Sequence, residues 1–537
     1  MVPHGIFLSV LLFLVLYPMV VSQSLTPAGT YYPKIHGLVQ NYYYYISLIK
    51  QGRDSWIPIN QYTTESTMVD PLHFYYILLG KIGAVLRISD VAVYWSGIIG
   101  SVILLYAATW MMVARFLPKH YRWPAMLMIF FLNPFAPGTV HLGPFEAYIG
   151  AHAWTAMDIA SRISRVPHHG MGIALSGFGV YWCFSFYQEK RFRYALLSGL
   201  LFFCASTVSF ISVVMILFAL YVSFVPFVVH GGYQLIRKRL SLRFMREVWQ
   251  KNRLFFWGTC FITLSALIPV GVLTVFENRI GVFSYEYALF RPNVFPNTLA
   301  VFIASAGPLW LFFPFMLWFV FRVRRWDALF IFLLFFSPFL LYECSALGIL
   351  EVSKQRWALY PLYQYGGLIA MMGTAYVFRR ASVYIGRIVK TVIVCGIALT
   401  AVIGIRSYYV PMLANPGIYT NTYLNGTHRA AMAFLTAHTP RYSRVMTTFY
   451  IGMYIPAFTY NTVYIGHEAS TANFWGKWPV AADFFSGITP AGDAKKFLAG
   501  QQIHYVIWDV GPIPPSYLTF LTPVWQTTGI TIYRVQE

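Results

Sequence analysis

Charge is scarce in this sequence. Only 11% of its 537 residues are Asp, Glu, Lys or Arg, against roughly 25% in an ordinary soluble domain, while 58% are hydrophobic. Such a composition is typical of a membrane protein. Acidic residues are the scarcer kind, 18 against 39 Lys and Arg. Because long apolar runs separate the basic residues, the net charge of +21 does not indicate nucleic-acid binding, and we expect no nucleic-acid partner.

Cysteine is also scarce, and the five cysteines are scattered. Each lies singly in or beside an apolar segment, without any C-x-x-C spacing: Cys183, Cys204, Cys260, Cys344 and Cys395. The sequence therefore predicts neither a disulfide framework nor a thiolate metal site.

Long apolar segments dominate the first three quarters of the chain. A membrane-spanning helix needs roughly 20 mostly apolar residues, and this criterion predicts eleven spans, at 5–22, 91–114, 123–138, 171–187, 194–208, 210–232, 254–276, 299–321, 327–345, 360–378 and 388–405. The third and fifth are short. A cleaved signal peptide at 1–22 is the alternative for the first, although that segment has no Lys or Arg before its apolar run.

The distribution of basic residues predicts the orientation of these spans. With the N-terminus in the cytoplasm, alternation puts five loops inside, which hold 20 of the 39 Lys and Arg residues: 115–122, 188–193, 237–253, 322–326 and 379–390. Cytoplasmic loops of membrane proteins carry this excess. The basic run from Arg237 to Arg253 is then an anchor against anionic lipid, with a binding site as the less favoured alternative. We expect the loops 23–90 and 139–170, and everything after the last span, to lie outside.

Residues 407–537 lose the long apolar runs. Short β-rich stretches at 444–449, 503–508 and 529–535 alternate with helical patterns at 427–438 and 491–500. We predict a mainly α architecture, with a polytopic transmembrane bundle over 1–406 and an extracytoplasmic α/β domain over 407–537.

The first outer loop is rich in tyrosine. It contains the stretch from Asn41 to Gly52, the sequence Tyr62-Thr63-Thr64-Glu65, and an amphipathic stretch from His73 to Leu86. Tyrosines in such segments commonly lie at headgroup depth, so an interfacial aromatic belt is the simplest interpretation.

The second outer loop concentrates ionisable side chains: Glu146, Asp158, Arg162, Arg165, His168 and His169. Ionisable groups at membrane depth usually line a wet cavity. These could bind an anionic lipid headgroup and carry a proton; alternatively, the two arginines only anchor a helix. We predict no metal at the two histidines, because adjacent residues do not share a helix face and no third ligand is suitably spaced.

The outer stretch 351–361 contains Arg356 followed by Trp357 and Tyr360. A guanidinium at the entrance of a span suits a lipid phosphate, since arginine offers bidentate hydrogen bonds. An anchor at the interface is an equally good interpretation.

Together these features carry a resemblance. The sequence resembles the GT-C superfamily of integral-membrane glycosyltransferases, which take sugars from polyprenyl-phosphate donors. In particular, it looks like uncharacterised prokaryotic GT-C-like proteins, through the motifs N-Y-x-x-Y-x-S-x-I-x-Q-G from Asn41, Y-T-T-E ending at Glu65, F-E-A around Glu146, P-H-H at 167–169, and I-P-A and V-Y-I-G-H-E in the tail. The order of the motifs is more informative than any one of them.

One position departs from this family. GT-C enzymes usually place an Asp just after the first span, and Asn41 stands at the matching position. An amide cannot take a proton from an acceptor hydroxyl. Either Glu65, Asp54 or Asp70 supplies the charge, or Glu146 acts alone, or the chain is not catalytic.

The resemblance implies an inverting glycosyltransferase on the outer face of a prokaryotic cytoplasmic membrane. Its partners would be a polyprenyl-phosphate-sugar donor, a glycan, lipid or protein acceptor, and membrane lipids. Catalytic candidates are Glu146, then Glu65, with Asn41 and Asp70; candidates for binding the donor phosphate are Arg165, His168, His169 and Arg356. The cofactor is unknown, and a divalent cation at the outer-loop carboxylates stays open.

Two other functions compete with this one. A lipid-linked saccharide transporter would carry charges near the middle of its spans, and the predicted spans contain almost none. An inactive scaffold with a glycan- or partner-binding tail is the other, and Asn41 is its best argument. In the tail, 463–477 holds His467, Glu468, Trp475 and Lys477, which suits either contact with a sugar or a loop that only packs.

Overall fold

The computed structural model describes residues 2–34, 39–65, 73–132, 138–142, 145–149, 166–237, 242–280, 303, 306–347, 357, 362–380, 383–414 and 423–536. Contacts divide it into two compact units. The first comprises 1–15, 98–272 and 290–411; the second comprises 16–97, 273–289 and 412–537. The first outer loop thus belongs to the same unit as the C-terminal residues, whereas the sequence predicted a boundary at 406/407.

Helices occur at every one of the eleven predicted spans. They are α1 (Val2–Ser24), α4 (Asp90–Phe116), α5 (Lys119–Phe131), α6 (Pro167–Glu189), α7 (Phe192–Arg237), α8 (Leu242–Ile280), α9 (Phe313–Val323), which follows a 3-10 turn, α10 (Trp326–Ala346), α11 (Leu362–Val377) and α12 (Val383–Ala414). Among the described residues, six helical segments are long and apolar enough to cross a membrane. The protein is therefore a multi-pass membrane protein, and the number of eleven crossings stays a prediction.

Helix α7 covers two of the predicted spans. A straight helix of 46 residues would be roughly 69 Å long, more than twice the roughly 30 Å hydrocarbon thickness of a bilayer. The backbone breaks at Ser209, whose φ of −156° and ψ of 77° are not helical. The break lies between the predicted spans 194–208 and 210–232, so hydropathy located it correctly.

Two helices follow α1 in the first outer loop: α2 (Val39–Asp54) and α3 (Phe74–Leu86). They pack closely, because glycines face each other where they meet. A Cβ atom added at Gly52 would lie 2.6 Å from the carbonyl oxygen of Ile77. Any larger residue at Gly52 would therefore push the two helices apart.

The C-terminal residues form a five-stranded mixed sheet in the order β6-β5-β7-β9-β8. Its strands are β5 (Arg444–Met446), β6 (Thr462–Val463), β7 (Tyr505–Trp508), β8 (Leu521–Thr527) and β9 (Ile530–Val535). The pairs β5–β6 and β5–β7 are parallel, and β7–β9 and β8–β9 are antiparallel. The helices around it are α13 (Gly426–His438), α14 (Phe449–Gly452), α15 (Ile455–Phe458), α16 (Phe474–Phe485) and α17 (Ala491–Gly500). The predicted small α/β fold is confirmed.

Phe484, Trp508 and Tyr517 lie in the core of this sheet region, all buried. A short antiparallel pair also ties the first outer loop to it. In that pair, β1 (Thr30–Tyr31) runs beside β4 (Leu424–Asn425).

Candidate functional site

The second unit brings the tyrosine-rich stretch of the first outer loop against the C-terminal sheet region. Tyr42, Tyr43, Tyr44 and Tyr45 on α2 are all buried, with at most 7% of each exposed. Tyr45 stacks on Tyr76 of α3, with ring centroids 4.2 Å apart. These tyrosines therefore pack inside the protein, and the interfacial belt expected from the sequence does not describe them. An unbroken Tyr run covers every side of a helix, so periodicity could not show which neighbour buries it.

Asn41, at the start of α2, meets His467 from the V-Y-I-G-H-E motif of the tail. The Oδ1 atom of Asn41 lies 3.0 Å from Nε2 of His467. The rings of Tyr44 and Tyr62 flank the imidazole, with centroids 5.3 Å and 5.7 Å from it.

A tight turn fixes the His467 ring. The backbone N–H groups of Ala469 and Ser470 donate to its Nδ1, at 3.2 Å and 3.1 Å, and the Oγ1 atom of Thr471 accepts from the backbone N–H of His467. Burial, together with the smaller effect of the nearby His73, lowers the pKa of His467 to about 3. His467 is therefore neutral at physiological pH, so it cannot form an ion pair with a phosphate.

Glu65, which follows Tyr62 in the first outer loop, forms an ion pair with Lys477 of α16. The Lys477 Nζ donates to Glu65 Oε2 at 2.6 Å and to Thr63 Oγ1 at 3.1 Å, and the Thr63 hydroxyl also donates to Glu65. Burial would raise the pKa of Glu65, but the hydrogen bonds from Lys477 and Thr63 and the lysine charge hold it below its usual value. Glu65 is thus a stable anion and a weak base.

Two of the tail residues that the sequence suggested for contact with a sugar are instead buried inside the protein. His467 and Lys477 are buried at 4% and 5% exposure, so neither is free on the surface to contact a sugar. Glu468 is half-buried. Trp475, at 60% exposure, keeps a ring face that could stack on one.

A third link between loop and tail surrounds Lys50 of α2, which the sequence analysis did not single out. Lys50 Nζ donates to the carbonyl oxygen of Thr459 and lies over the ring of Tyr460. Tyr460 and Arg441 both bond Asp54, at 2.9 Å each. Burial lowers the pKa of Lys50 to about 7, although the negative charge of Asp90 acts in the opposite direction. A lysine inside an apolar helix face gives no sequence signal of its burial, because exposed lysines occur in the same pattern.

Several predicted site residues fall elsewhere. Asp70, Arg165 and Arg356 lie outside the described residues. Glu146 is described through its backbone, in strand β3 (Phe145–Ile149), which pairs with β2 (Gly138–Leu142) and sets Glu146 opposite His141.

His168 and His169 occupy the first turn of α6, half-buried, with ring centroids 4.3 Å apart. Across the described part of the chain, no group of three His, Cys, Asp or Glu side chains is placed to hold a metal ion.

The fold resembles several solved structures over nearly the whole chain. The oligosaccharyltransferase AglB from Archaeoglobus fulgidus, in complex with an inhibitory peptide and a dolichol-phosphate, matches 98% of this chain and 74% of its own, with a TM-score of 0.51 and 13% identity. ArnT from Cupriavidus metallidurans, bound to undecaprenyl phosphate, matches 99% of this chain and 97% of its own, with a TM-score of 0.53 and 11% identity.

The arabinofuranosyltransferase AftD from Mycobacteria matches 98% of this chain and 40% of its own, with a TM-score of 0.54 and 11% identity. No family model matches the sequence, and no curated protein matches it either. At sequence identities this low, structural similarity is evidence of a shared fold and not of a shared activity. This chain therefore shares its fold with AglB, ArnT and AftD, and this is the kind of fold that the resemblance to GT-C enzymes predicted.

Proposed function

We propose that this protein is a membrane glycosyltransferase that moves a sugar from a polyprenyl-phosphate donor to a glycan, lipid or protein acceptor. The observation that carries the proposal is the similarity to ArnT over 99% of this chain and 97% of that one. The ArnT structure holds undecaprenyl phosphate, and the AglB structure holds a dolichol-phosphate. A polyprenyl phosphate is thus the ligand shared by two proteins of this fold.

The reaction takes place on the outer face of the cytoplasmic membrane. The excess of Lys and Arg in alternate loops supports an N-terminus in the cytoplasm, and odd parity of eleven spans puts residues 407–537 outside. The second unit joins residues 16–97 to this C-terminal stretch, which is consistent with both lying on one side of the membrane.

The chemistry is a direct displacement at the anomeric carbon. A lone pair of the acceptor oxygen forms the new bond to the anomeric carbon while the bond from that carbon to the phosphate oxygen breaks, and its electron pair leaves with the polyprenyl phosphate. The acceptor proton passes to a carboxylate. Configuration at the anomeric carbon inverts, because attack and departure take place on opposite faces.

Glu146 is the proposed general base. Glu65, the second candidate, is held as an anion by Lys477 and Thr63, which lowers its basicity and favours Glu146 in comparison. Asp70 lies in the same loop as Glu65 and stays a third candidate. Arg165, Arg356 and the pair His168 and His169 are the proposed contacts of the departing phosphate.

The test is transfer from a set of radiolabelled undecaprenyl-phosphate monosaccharides to a membrane extract by the purified full-length protein. Glu146→Gln keeps the side-chain volume and removes its basicity, so transfer should fall by roughly 10²- to 10⁴-fold while donor binding changes little. Arg356→Ala should instead weaken donor binding. Glu189→Gln is the matched control, because Glu189 is an exposed carboxylate in a predicted inner loop.

Undiminished transfer by Glu146→Gln would remove Glu146 as the base. Absence of transfer by the wild-type protein from every donor, with the donors still bound, would favour the scaffold function that Asn41 suggests.

A further inference from the structure

The protonation of His467 follows from its partners. Nδ1 accepts hydrogen bonds from two backbone N–H groups, those of Ala469 and Ser470, so Nδ1 carries no proton. A neutral imidazole has one N–H and one bare nitrogen. The proton is therefore on Nε2, and His467 donates it to its neighbour at 3.0 Å, which is Asn41.

That donor in turn fixes the orientation of the Asn41 amide. An N–H group donates to an oxygen and not to another NH₂ group, so the carboxamide oxygen faces His467 and the NH₂ group faces away. The Asn41 side chain is half-buried, and among the described residues its Nδ2 has no hydrogen-bond partner. The turn at Ala469 and Ser470 orients the imidazole of His467, and the imidazole in turn fixes the direction of the two N–H bonds of the Asn41 amide.

An Asp at this position would behave in the opposite way. A carboxylate presents only acceptor oxygens, would draw a proton onto His467, and would repel an anion beside it. The pair found here is neutral and offers donors, so it fits an oxygen with lone pairs and does not fit a cation.

We propose that Asn41 binds an oxygen of the lipid-linked donor through its Nδ2 hydrogens, with His467 as a positioning residue that holds the amide in this orientation. The inference rests on the proposed function for the identity of the ligand. Two oxygens share the required chemistry, those of the phosphate and those of the sugar hydroxyls. Asn41 is then a substrate-binding residue where the resemblance implied a carboxylate.

Binding to the full-length protein in nanodiscs tests the role of Asn41, with undecaprenyl phosphate and one undecaprenyl-phosphate monosaccharide as the two probes. Loss of a hydrogen bond to a charged oxygen should weaken binding roughly 10- to 100-fold in Asn41→Ala. Weaker binding of both probes indicates the phosphate; weaker binding of the sugar-bearing probe alone indicates a hydroxyl. If the contact is the phosphate, Asn41→Asp should bind both probes more weakly still, because it adds a negative charge beside an anion.

Gln526→Ala serves as the control, because Gln526 is an exposed amide on β8. Unchanged binding of both probes in Asn41→Ala would overturn the proposal. So would Asn41→Asp binding a divalent cation and transferring sugar faster than wild type, since that would mean a base had been restored.

Two variants of His467 separate positioning from folding. Gln keeps an N–H donor for Asn41 Oδ1, so His467→Gln should retain affinity within about threefold of wild type, whereas His467→Leu should lose as much as Asn41→Ala. Nitrogen NMR of ¹⁵N-histidine protein, with His467→Gln for assignment, should show an Nε2–H tautomer that stays neutral at pH 5. An Nδ1–H tautomer, or equal affinity in the Leu and wild-type proteins, would contradict the assignment.

The proposed function and this inference fail in different ways. If no donor is transferred but Asn41→Ala still weakens binding, the function fails and the donor contact stands. If Glu146→Gln abolishes transfer while Asn41→Ala binds both probes normally, the inference fails and the function stands.

Discussion

The ion pair between Glu65 and Lys477 should respond very differently to the loss of each partner. The Lys477 side chain is 6% exposed and the Glu65 side chain 44% exposed. Without Lys477, water can solvate the carboxylate. Without the Glu65 charge, the contacts that the ammonium keeps among the described residues are uncharged: the oxygens of Thr63 and Tyr464 and the face of the Tyr464 ring.

The magnitudes follow from this difference. Removing one partner of a fully buried pair costs about 3–5 kcal/mol, which solvent access at Glu65 reduces to about 1–3 kcal/mol for Glu65→Gln. Lys477→Met replaces the buried charge by an apolar chain of similar length, so it should cost below about 1 kcal/mol.

Hydrogen exchange of the peptides covering 59–65 and α16 measures this local opening. Exchange should accelerate roughly 5- to 100-fold in Glu65→Gln and less than about fivefold in Lys477→Met. The double variant should resemble Lys477→Met, because no charge is then left buried. If Lys477→Met accelerated exchange as much as Glu65→Gln, the buried ammonium would not be the group that Glu65 stabilises.

Three further outcomes are expected. The folded pKa of Lys50 is about 7, below the usual 10.5, so the unfolded chain binds more protons than the folded chain above pH 7. The melting temperature should therefore rise between pH 7 and about 9.5, and this rise with pH should be smaller in Lys50→Met. The folded pKa of His467 is about 3, below the usual 6.5, so its contribution to stability is complete above pH 6.5 and is lost as the pH falls toward 3. The melting temperature of His467→Gln should therefore fall less steeply between pH 6.5 and 3 than that of wild type. An equally steep fall would refute this. Ser486 is exposed at the end of α16. In a variant without the native cysteines, a cysteine introduced at Ser486 should react with a membrane-impermeant maleimide in intact cells. A cysteine introduced at Lys190 should react only after the inner face of the membrane is made accessible.

Much of the architecture could be predicted from the sequence, because it depends on local properties. Apolar run length located the helices and the break at Ser209, and turn-bounded β-rich stretches located β5, β7 and β9. Strand β8 was missed because Pro523 and a bulge beside it interrupt the alternation. Helix α16 was missed because it has an interior Pro479, which normally argues against a helix.

The contacts of the candidate site could not be predicted in the same way. Asn41 and His467 are 426 residues apart, and Glu65 and Lys477 are 412 apart. Each of these four residues was singled out by its chemistry, but periodicity contains no information on which distant side chains meet. Lys50 was missed because only tertiary packing distinguishes a buried lysine from an exposed one.

The fate of the bond between sugar and phosphate tests the central claim most directly. Purified protein is placed in proteoliposomes that contain an undecaprenyl-phosphate monosaccharide and an acceptor extract, and lipid and glycan products are quantified by mass spectrometry. A glycosyltransferase should release undecaprenyl phosphate and glycosylated acceptor in equal amounts, with inverted anomeric configuration, and Glu146→Gln should suppress both. Movement of intact donor between leaflets, with no undecaprenyl phosphate released, would contradict the account and identify a transporter.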